Sequence, residues 1–272
     1  MKPNFKLALL TGGSSGIGLA VAERLVQEGT SVVLIARRPE ILQQAAEKLK
    51  SRKQNGTEIH IVALDVSDAE AVRREVTKIL QEIGTPDLVY CGAGITYTNH
   101  FIQITRDQFQ AIMNTNVGGI WNVLSVVVPS MKELRRGTIV TVSSVAGLIG
   151  TYGYSAYGAS KFAVVGMSQA LRNELKPDGI RVKVLCPPDT NTPQLAEEKL
   201  TMPEETKKIN GNAGCKEPGE IAAALMRSLK NSRFVILPGF MSKVTWLLYR
   251  WMPWLVHLII DSDVRQVRNT NR

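Results

Sequence analysis

The sequence predicts an α/β fold: a single doubly wound parallel sheet with helices on both faces, extended at the C-terminus by a hydrophobic helical segment. Three observations predict it. Short runs of apolar and β-branched residues alternate with stretches of helical period from Leu7 to Leu185. Those runs are almost continuously apolar, as strands buried on both faces are. A glycine-rich stretch, TGGSSGIG at 11–18, follows the first run and opens a helical pattern. With 272 residues and 44% apolar content, the chain suits one α/β domain and is too apolar for disorder.

Taken in order, residues 7–11 read as the first strand and 16–28 as its helix. The pattern repeats with strand 31–36 and helix 40–52, then strand 58–64 and helix 69–83. Strand 88–91 is followed by two helical patterns, 105–116 and 120–134. Strand 138–143, helix 157–175 and strand 181–185 complete the series. Right-handed crossovers between such units build a sheet of Rossmann type. The expected division is a catalytic domain over 1–239, with a substrate loop at about 188–218, and an extension over 240–272.

Net charge is +9, but the basic residues are scattered over 48–53, 132–136 and 265–272. A nucleic-acid reader concentrates its charge in one stripe interleaved with aromatics. No nucleic-acid partner is expected; the charge suits a solvated surface that favours anionic lipid or a phosphorylated ligand. Cys91, Cys186 and Cys215 are odd in number and widely spaced. They suggest neither a disulfide framework nor a metal cluster, and fit a reducing compartment. The first residues, MKPNFKLALLTGG, run into a glycine loop and do not read as a signal peptide.

The glycine stretch has the form of a phosphate loop. Gly12 lets the chain turn, Gly16 lets the backbone approach a pyrophosphate, and Gly18 permits close helix–sheet packing. Ser14, Ser15 and Ile17 complete the loop, and the helix beginning there aims free N–H groups at the phosphates. The second strand ends VLIARR. An NAD site usually carries an acid about 20 residues after the glycines. Arg37 and Arg38 stand there instead, and guanidinium groups pair with the 2′-phosphate of NADP. Ser14 and Ser15 can add hydroxyl donors. Asp65, with Val66 in VALDVS, ends the third strand, where a carboxylate accepts from an adenine amine or serves as a helix N-terminal acid.

In YSAYGASK, at 154–161, Tyr157 and Lys161 are four apart and share a helix face. A nearby ammonium favours phenolate and pulls a tyrosine pKa down from about 10. Ser143 and Ser144 close the fifth strand, where a hydroxyl can hold a carbonyl beside Tyr157. Asn116, in NTNVGG, can anchor a water that relays protons to Lys161.

Together these motifs resemble the short-chain dehydrogenase/reductase family over about residues 5–190. TGGSSGIG matches TGxxxGxG, YGASK matches YxxxK, and CGAG at 91–94 stands where NNAG is usual. The resemblance implies a catalytic set of Asn116, Ser144, Tyr157 and Lys161, with Ser143 as the alternative serine on a one-residue slip. It implies that Ala93 and Gly94 border the cofactor, that Pro187 flanks the nicotinamide and that Thr192 bonds its carboxamide. It also implies NADPH-dependent carbonyl reduction and a homo-oligomer built on the helices that carry Asn116 and Tyr157. CGAG lacks the asparagines, so support between the strands must come from elsewhere.

After the sixth strand the family's PGxxxT becomes PPDTNT, at 187–192, followed by TPQLAEEKLTMPEETKKI. That variant is similar to the branch of the family that reduces long-chain keto-sphingoid bases with NADPH in sphingolipid synthesis. Other lipophilic carbonyls, such as steroids or retinoids, and a non-catalytic NADPH-binding role are the alternatives. The extension, VTWLLYRWMPWLVHLII at 244–260, holds three of the four tryptophans and is too short and too interrupted to span a bilayer. It reads as two short interfacial helices meeting at Pro253, with a subunit interface or a lid as other uses. The basic residues after it favour anionic headgroups. The expected location is a cytosol-facing membrane surface: the endoplasmic reticulum in a eukaryote, the inner membrane in a bacterium.

Overall fold

A computed structural model describes residues 5–211 and 214–270. In chain order the strands are β1 (Leu7–Thr11), β2 (Ser31–Ala36), β3 (Ile59–Ala63), β4 (Leu88–Cys91), β5 (Gly137–Val142), β6 (Ile180–Leu185) and β7 (Val235–Ile236). They form one sheet in the order β3-β2-β1-β4-β5-β6-β7. Every pairing is parallel. The doubly wound sheet is therefore as expected. The seventh strand was not, because two residues carry no periodicity.

The helices are α1 (Gly16–Gln27), α2 (Pro39–Lys50), α3 (Ala69–Glu82), α4 (Arg106–Met113), α5 (Gly119–Glu133), α6 (Ser155–Leu175), α7 (Pro193–Glu198), α8 (Glu204–Gly211), α9 (Pro218–Leu229), α10 (Phe240–Trp251) and α11 (Pro253–Thr270). The strand period of two sorts the core into halves. Ala8 and Leu10 of β1 face α1, α2 and α9, meeting Val21, Leu25, Leu42 and Leu225. Leu7 and Leu9 face α3 and α5, meeting Val72, Val76, Val123 and Val127. Burial on both faces explains why the strands are apolar throughout.

The helical patterns expected as 105–116 and 120–134 are one continuous helix, joined by a π-turn at Asn114–Gly118. Thr105 starts it with a capping box, accepting from Gln108 N at 3.1 Å while the Gln108 side chain accepts from Thr105 N at 3.0 Å. The run Arg106–Glu133 is long and apolar enough to cross a membrane by length and composition. Its apolar face is spent on the sheet, through Ile120, Val123, Leu124, Val127 and Met131.

At the far end, Gly239 adopts φ +88 and turns the chain into α10. The expected break at Pro253 is present, since α10 ends at Trp251 and α11 begins at Pro253. It places Lys243 and Arg250 on one helix and His257 on the other, where the His257 ring meets Tyr249 edge-on at 5.7 Å. Asn271 and Arg272, the end of the basic run, lie outside the described residues.

The support that CGAG lacks is supplied from β1 and from below. Thr11 Oγ1 accepts from Gly92 N at 3.1 Å and from Ala93 N at 3.2 Å. The ring of Tyr90, 1% exposed, fills the space that a Cβ at Gly92 would occupy. Glycine is thus required by a buried tyrosine two residues earlier. Gly92→Ala should lower the unfolding free energy by about 1–3 kcal/mol through overpacking, read from urea denaturation. An unchanged midpoint would show that the ring moves aside freely.

Candidate active site

The sheet order reverses between β1 and β4, and ligands in such folds bind beyond the carboxyl ends of the strands there. A cavity of about 330 Å³ lies at that place. The glycine loop forms its floor. Gly12 and Gly16 have φ of +69 and +52, a region that L side chains avoid. A Cβ on Gly12 would come within 2.8 Å of Ala93 N, and one on Gly18 would overlap the Gly12 carbonyl. The loop is therefore pressed against β4 on one side and α1 on the other. Ser15 stands at the N-cap of α1 with no side-chain capping bond, and the first turn holds no acid. Its N–H groups and positive dipole end are free to meet an anion.

Arg37 and Arg38 line the same cavity with Ser14 and Ser15. Both arginines are exposed at its rim. Arg37 lies 4.0 Å from the Asp65 carboxylate. Asp65 also accepts from the Ser67 backbone at 2.9 Å and its hydroxyl at 2.7 Å. It is not the helix acid: Asp68 caps α3, accepting from Ala71 N at 2.9 Å. Val66, Ala93 and Gly94 continue the wall. Thr192 caps α7, accepting from Leu195 N at 3.2 Å. Its methyl group lies where a Cβ on Gly16 would come within 2.9 Å, so it closes over the loop. A groove with a free helix N-terminus at one end and two guanidiniums at the rim fits an extended dinucleotide. One end needs only to be anionic; the other suits a phosphate better than bare ribose hydroxyls.

Across the cavity, α6 brings up Tyr157 and Lys161, and the end of β5 brings Ser144. Ser144 accepts from Ala146 N at 3.1 Å, and its hydroxyl favours the charged form of Tyr157 beside it. Ser143 is engaged elsewhere: its hydroxyl donates to the Lys161 carbonyl at 2.8 Å and is 2% exposed as a residue. Of the two serines, Ser144 is the one that meets Tyr157. Lys161 Nζ donates to the Val142 carbonyl at 3.0 Å and lies 5.4 Å from the Tyr157 ring centroid. Burial pushes its pKa down to about 8.

Asn116 sits in the π-turn, fully buried. Its amide donates to the Ile95 carbonyl at 3.0 Å and to Ser160 Oγ at 3.0 Å, and its oxygen accepts from Ile95 N at 2.8 Å. The expected water anchor is therefore not its side-chain amide, which is committed to clamping the loop after β4 against α6. π-turns recur at functional sites because they re-aim one residue without ending the helix.

Tyr157 also departs from expectation. Its pKa is raised, not lowered. Burial is the main cause and the negative charge of Glu198 the next, while the Ser144 hydroxyl pulls the other way. Lys161 stands over the ring face rather than beside the hydroxyl, so the ammonium does not outweigh them.

Reading the sequence missed Glu198, Asp189, Tyr154 and Asn210, which line the opposite end of the cavity. The Tyr154 hydroxyl donates to Glu198, and Asn210 donates to that hydroxyl at 2.9 Å. The signal in the sequence was slight. Glu198 follows Leu195 by three on the buried face of α7, a short helix with no strong period. Pro187 and Pro188 hold the entry to this end: the Pro187 carbonyl accepts from Val145 N at 3.0 Å, and Pro188's accepts from Thr190 Oγ1 at 2.8 Å.

The family model for short chain dehydrogenase matches residues 6–203. A 3-dehydrosphinganine reductase of Danio rerio is 35% identical over 236 residues, covering 86% of this chain and 71% of its own length. A 3-ketodihydrosphingosine reductase of Mus musculus is 34% identical, covering 83% and 69%. Among solved structures, the L-sorbose reductase of Gluconobacter frateurii complexed with NADPH and L-sorbose superposes with a TM-score of 0.78. It is 26% identical and covers 89% of this chain and 99% of that one.

The buried Lys161 has a consequence for stability. Its pKa falls from 10.5 to about 8 on folding. Below that range both states are charged, and the folded state carries the full cost of burial. Within it the unfolded chain binds more protons than the folded one, so stability rises with pH. Lys183, also lowered to about 8, contributes in parallel. Between about pH 8 and 9.5 the wild-type protein should gain stability more steeply than Lys161→Met. Equal slopes in denaturation series would contradict the assignment.

Proposed function

The chain belongs to the short chain dehydrogenase family, and from that premise we propose that it reduces 3-ketosphinganine to sphinganine with NADPH, at a cytosol-facing membrane surface. The observation that carries the substrate is the likeness, over most of the chain, to reductases of that ketone from fish and mouse. The choice of NADPH rests on Arg37 and Arg38, which line the cavity at the end of β2 where an acid would favour NAD.

When bound, the reduced nicotinamide supplies hydride to the ketone carbon. The protein's part is to position and polarise. Ser144 donates to the carbonyl oxygen, and Tyr157 beside it gives that oxygen its proton. Lys161 lies behind the Tyr157 ring as the neighbouring proton source. Asn116 fixes the loop after β4 to α6 and so sets the spacing of the two walls. Pro187 and Thr192 border the nicotinamide end in this reading.

The extension supports membrane docking. Its outer surface exposes Phe240 (77%), Trp251 (74%) and Trp254 (60%), with Leu247, Leu258 and Ile259 beside them. The other side of α10 reaches the cavity, where Ser242 and Thr245 form part of the wall. Apolar surface and cavity mouth thus share one element, as entry of a long-chain ketone from lipid requires. α11 is tied to the mouth by Arg268, 3.6 Å from Glu205, whose carboxylate accepts from Tyr152 Oη at 3.2 Å. A homo-oligomer would use the exposed Phe109, Trp121 and Phe162 on α4, α5 and α6.

Purified protein should oxidise NADPH in the presence of 3-ketosphinganine, and Tyr157→Phe should lower kcat by about 10²–10⁴-fold. In the same assay, replacing Arg37 and Arg38 by alanine should raise KM for NADPH about tenfold or more and leave NADH almost unaffected. No turnover beside rapid reduction of a steroid ketone would sink the substrate; an equal loss with both cofactors would sink the role of the arginines.

The full chain should float with anionic liposomes in the absence of detergent, and a chain truncated at Gly239 should not. Equal flotation would overturn membrane docking by the extension, and a truncated chain that only loses mass on a sizing column would assign the surface to subunit contact.

A further inference from the structure

We infer that Glu198 and Asp189 form a seat for a cationic amine adjacent to the reacting carbonyl, so that this cavity selects α-amino ketones over plain long-chain ketones. The inference rests on the substrate reading above, in which the carbon next to the ketone carries an amino group, and deepens it by assigning the residues that recognise that group.

The two carboxylates come from different elements and meet at one end of the cavity. Glu198 ends α7 and is 9% exposed; Asp189 lies in the segment between β6 and α7. That segment is strapped in place, with Asp189 O accepting from Lys216 N at 2.9 Å and Asn191 N donating to Lys216 O at 2.8 Å. Neutral donors orient both acids. Tyr154 donates to Glu198 and Asn210 to the Tyr154 hydroxyl, while Thr98 favours the charged form of Glu198 and Asn210 that of Asp189. These leave part of the acceptor capacity of two carboxylates unused.

Neither acid forms an ion pair among the described residues. Lys199 bears on Asp189 only through the longer-range field. Two acids enclosed at a cavity wall without a paired cation are costly unless something positive meets them.

Their position relative to the reacting atoms is the second argument. The Tyr154 and Tyr157 rings are 5.6 Å apart by their centroids, so the Tyr154–Glu198 bond lies one ring away from the proton donor. The fields of Glu198 and Asp189 both hold the Tyr157 proton more tightly. For a proton donor that is a handicap, and a cation seated between acids and phenol would remove it. In an α-amino ketone the nitrogen is two bonds from the carbonyl carbon. A carbonyl held by Ser144 and Tyr157 therefore presents its amine within a few ångströms, on whichever side carries the acids. The substrate would bring the charge that readies its own proton donor.

The test compares 3-ketosphinganine with 1-hydroxyoctadecan-3-one, the same ketone without the amine, using the full chain and NADPH. Wild-type kcat/KM should favour the amine by about tenfold or more. Glu198→Gln and Asp189→Asn should each shrink that ratio by about fivefold or more, mainly through KM for the amine. A bracing role for either acid would lower both substrates together and leave the ratio where it was. That result, or a wild-type enzyme that reduces the two ketones equally, overturns the amine seat while 3-ketosphinganine reduction still stands. If wild type reduces neither and another carbonyl serves, the substrate reading fails and takes this inference with it. Should the variants not fold, inhibition of wild type by sphinganine and by octadecane-1,3-diol gives the same answer: the amine should inhibit at about one tenth the concentration, and equal inhibition overturns the proposal.

Discussion

The close approach of the first turn to the fourth strand is the constraint on which the cavity depends. Gly12 packs on the Ala93 backbone, Gly18 on the Gly12 carbonyl, and Thr11 Oγ1 accepts from the two amides that follow β4. A single added methyl group at either glycine would drive β1, α1 and β4 apart. Because the cavity opens at that junction, its floor is only as well defined as this contact. The Tyr90 ring completes the arrangement from beneath, filling the volume that Gly92 leaves. The CGAG segment is thus held by the threonine of the glycine motif above and by a buried tyrosine below.

On the opposite wall, burial and charge compete. Tyr157 is enclosed, feels the charges of Glu198 and Asp189, and is favoured in its charged form only by the Ser144 hydroxyl. Lys161 gives up basicity to burial and spends a donor on the Val142 carbonyl. A lysine four residues along a helix is a reliable sign that two side chains share a face. It does not say whether the ammonium points at the hydroxyl or lies over the ring. That distinction decides the direction of the tyrosine's titration, and only the packing of α6 against β5 settles it.

The parts of the molecule that were legible in the sequence are those set by short-range rules. The apolar strands, the glycine turn, the Tyr157–Lys161 spacing and the break at Pro253 each follow from local sterics or from a period of two or 3.6. The family resemblance already favours Ser144, with Ser143 as the alternative on a one-residue slip, and the fold adds that Ser143 bonds the Lys161 carbonyl. Glu198, Asp189, Tyr154 and Asn210 were illegible because they converge from α7, the loop before it, the start of α6 and α8. No local pattern records that meeting. β7 escaped for another reason: Val235 and Ile236 are held by pairing with Val184 and Leu185, not by any preference of their own.

The π-turn at Asn114–Gly118 gives one helix two duties. Before it, α4 packs on α6; after it, α5 covers the sheet with Val123, Val127 and Met131. The extra residue in a wider turn sets the phase between the two duties. Each residue of an α-helix advances the face by about 100°. Loss of a single residue there would rotate the whole of α5 by that angle, turning its valines toward solvent and Asn122, which now bonds the Val66 carbonyl at 2.9 Å, away from its partner. The segment around Asn116 is therefore intolerant of length change even at positions where it tolerates a change of side chain, and a family tree built on substitutions alone would understate how strongly it is held.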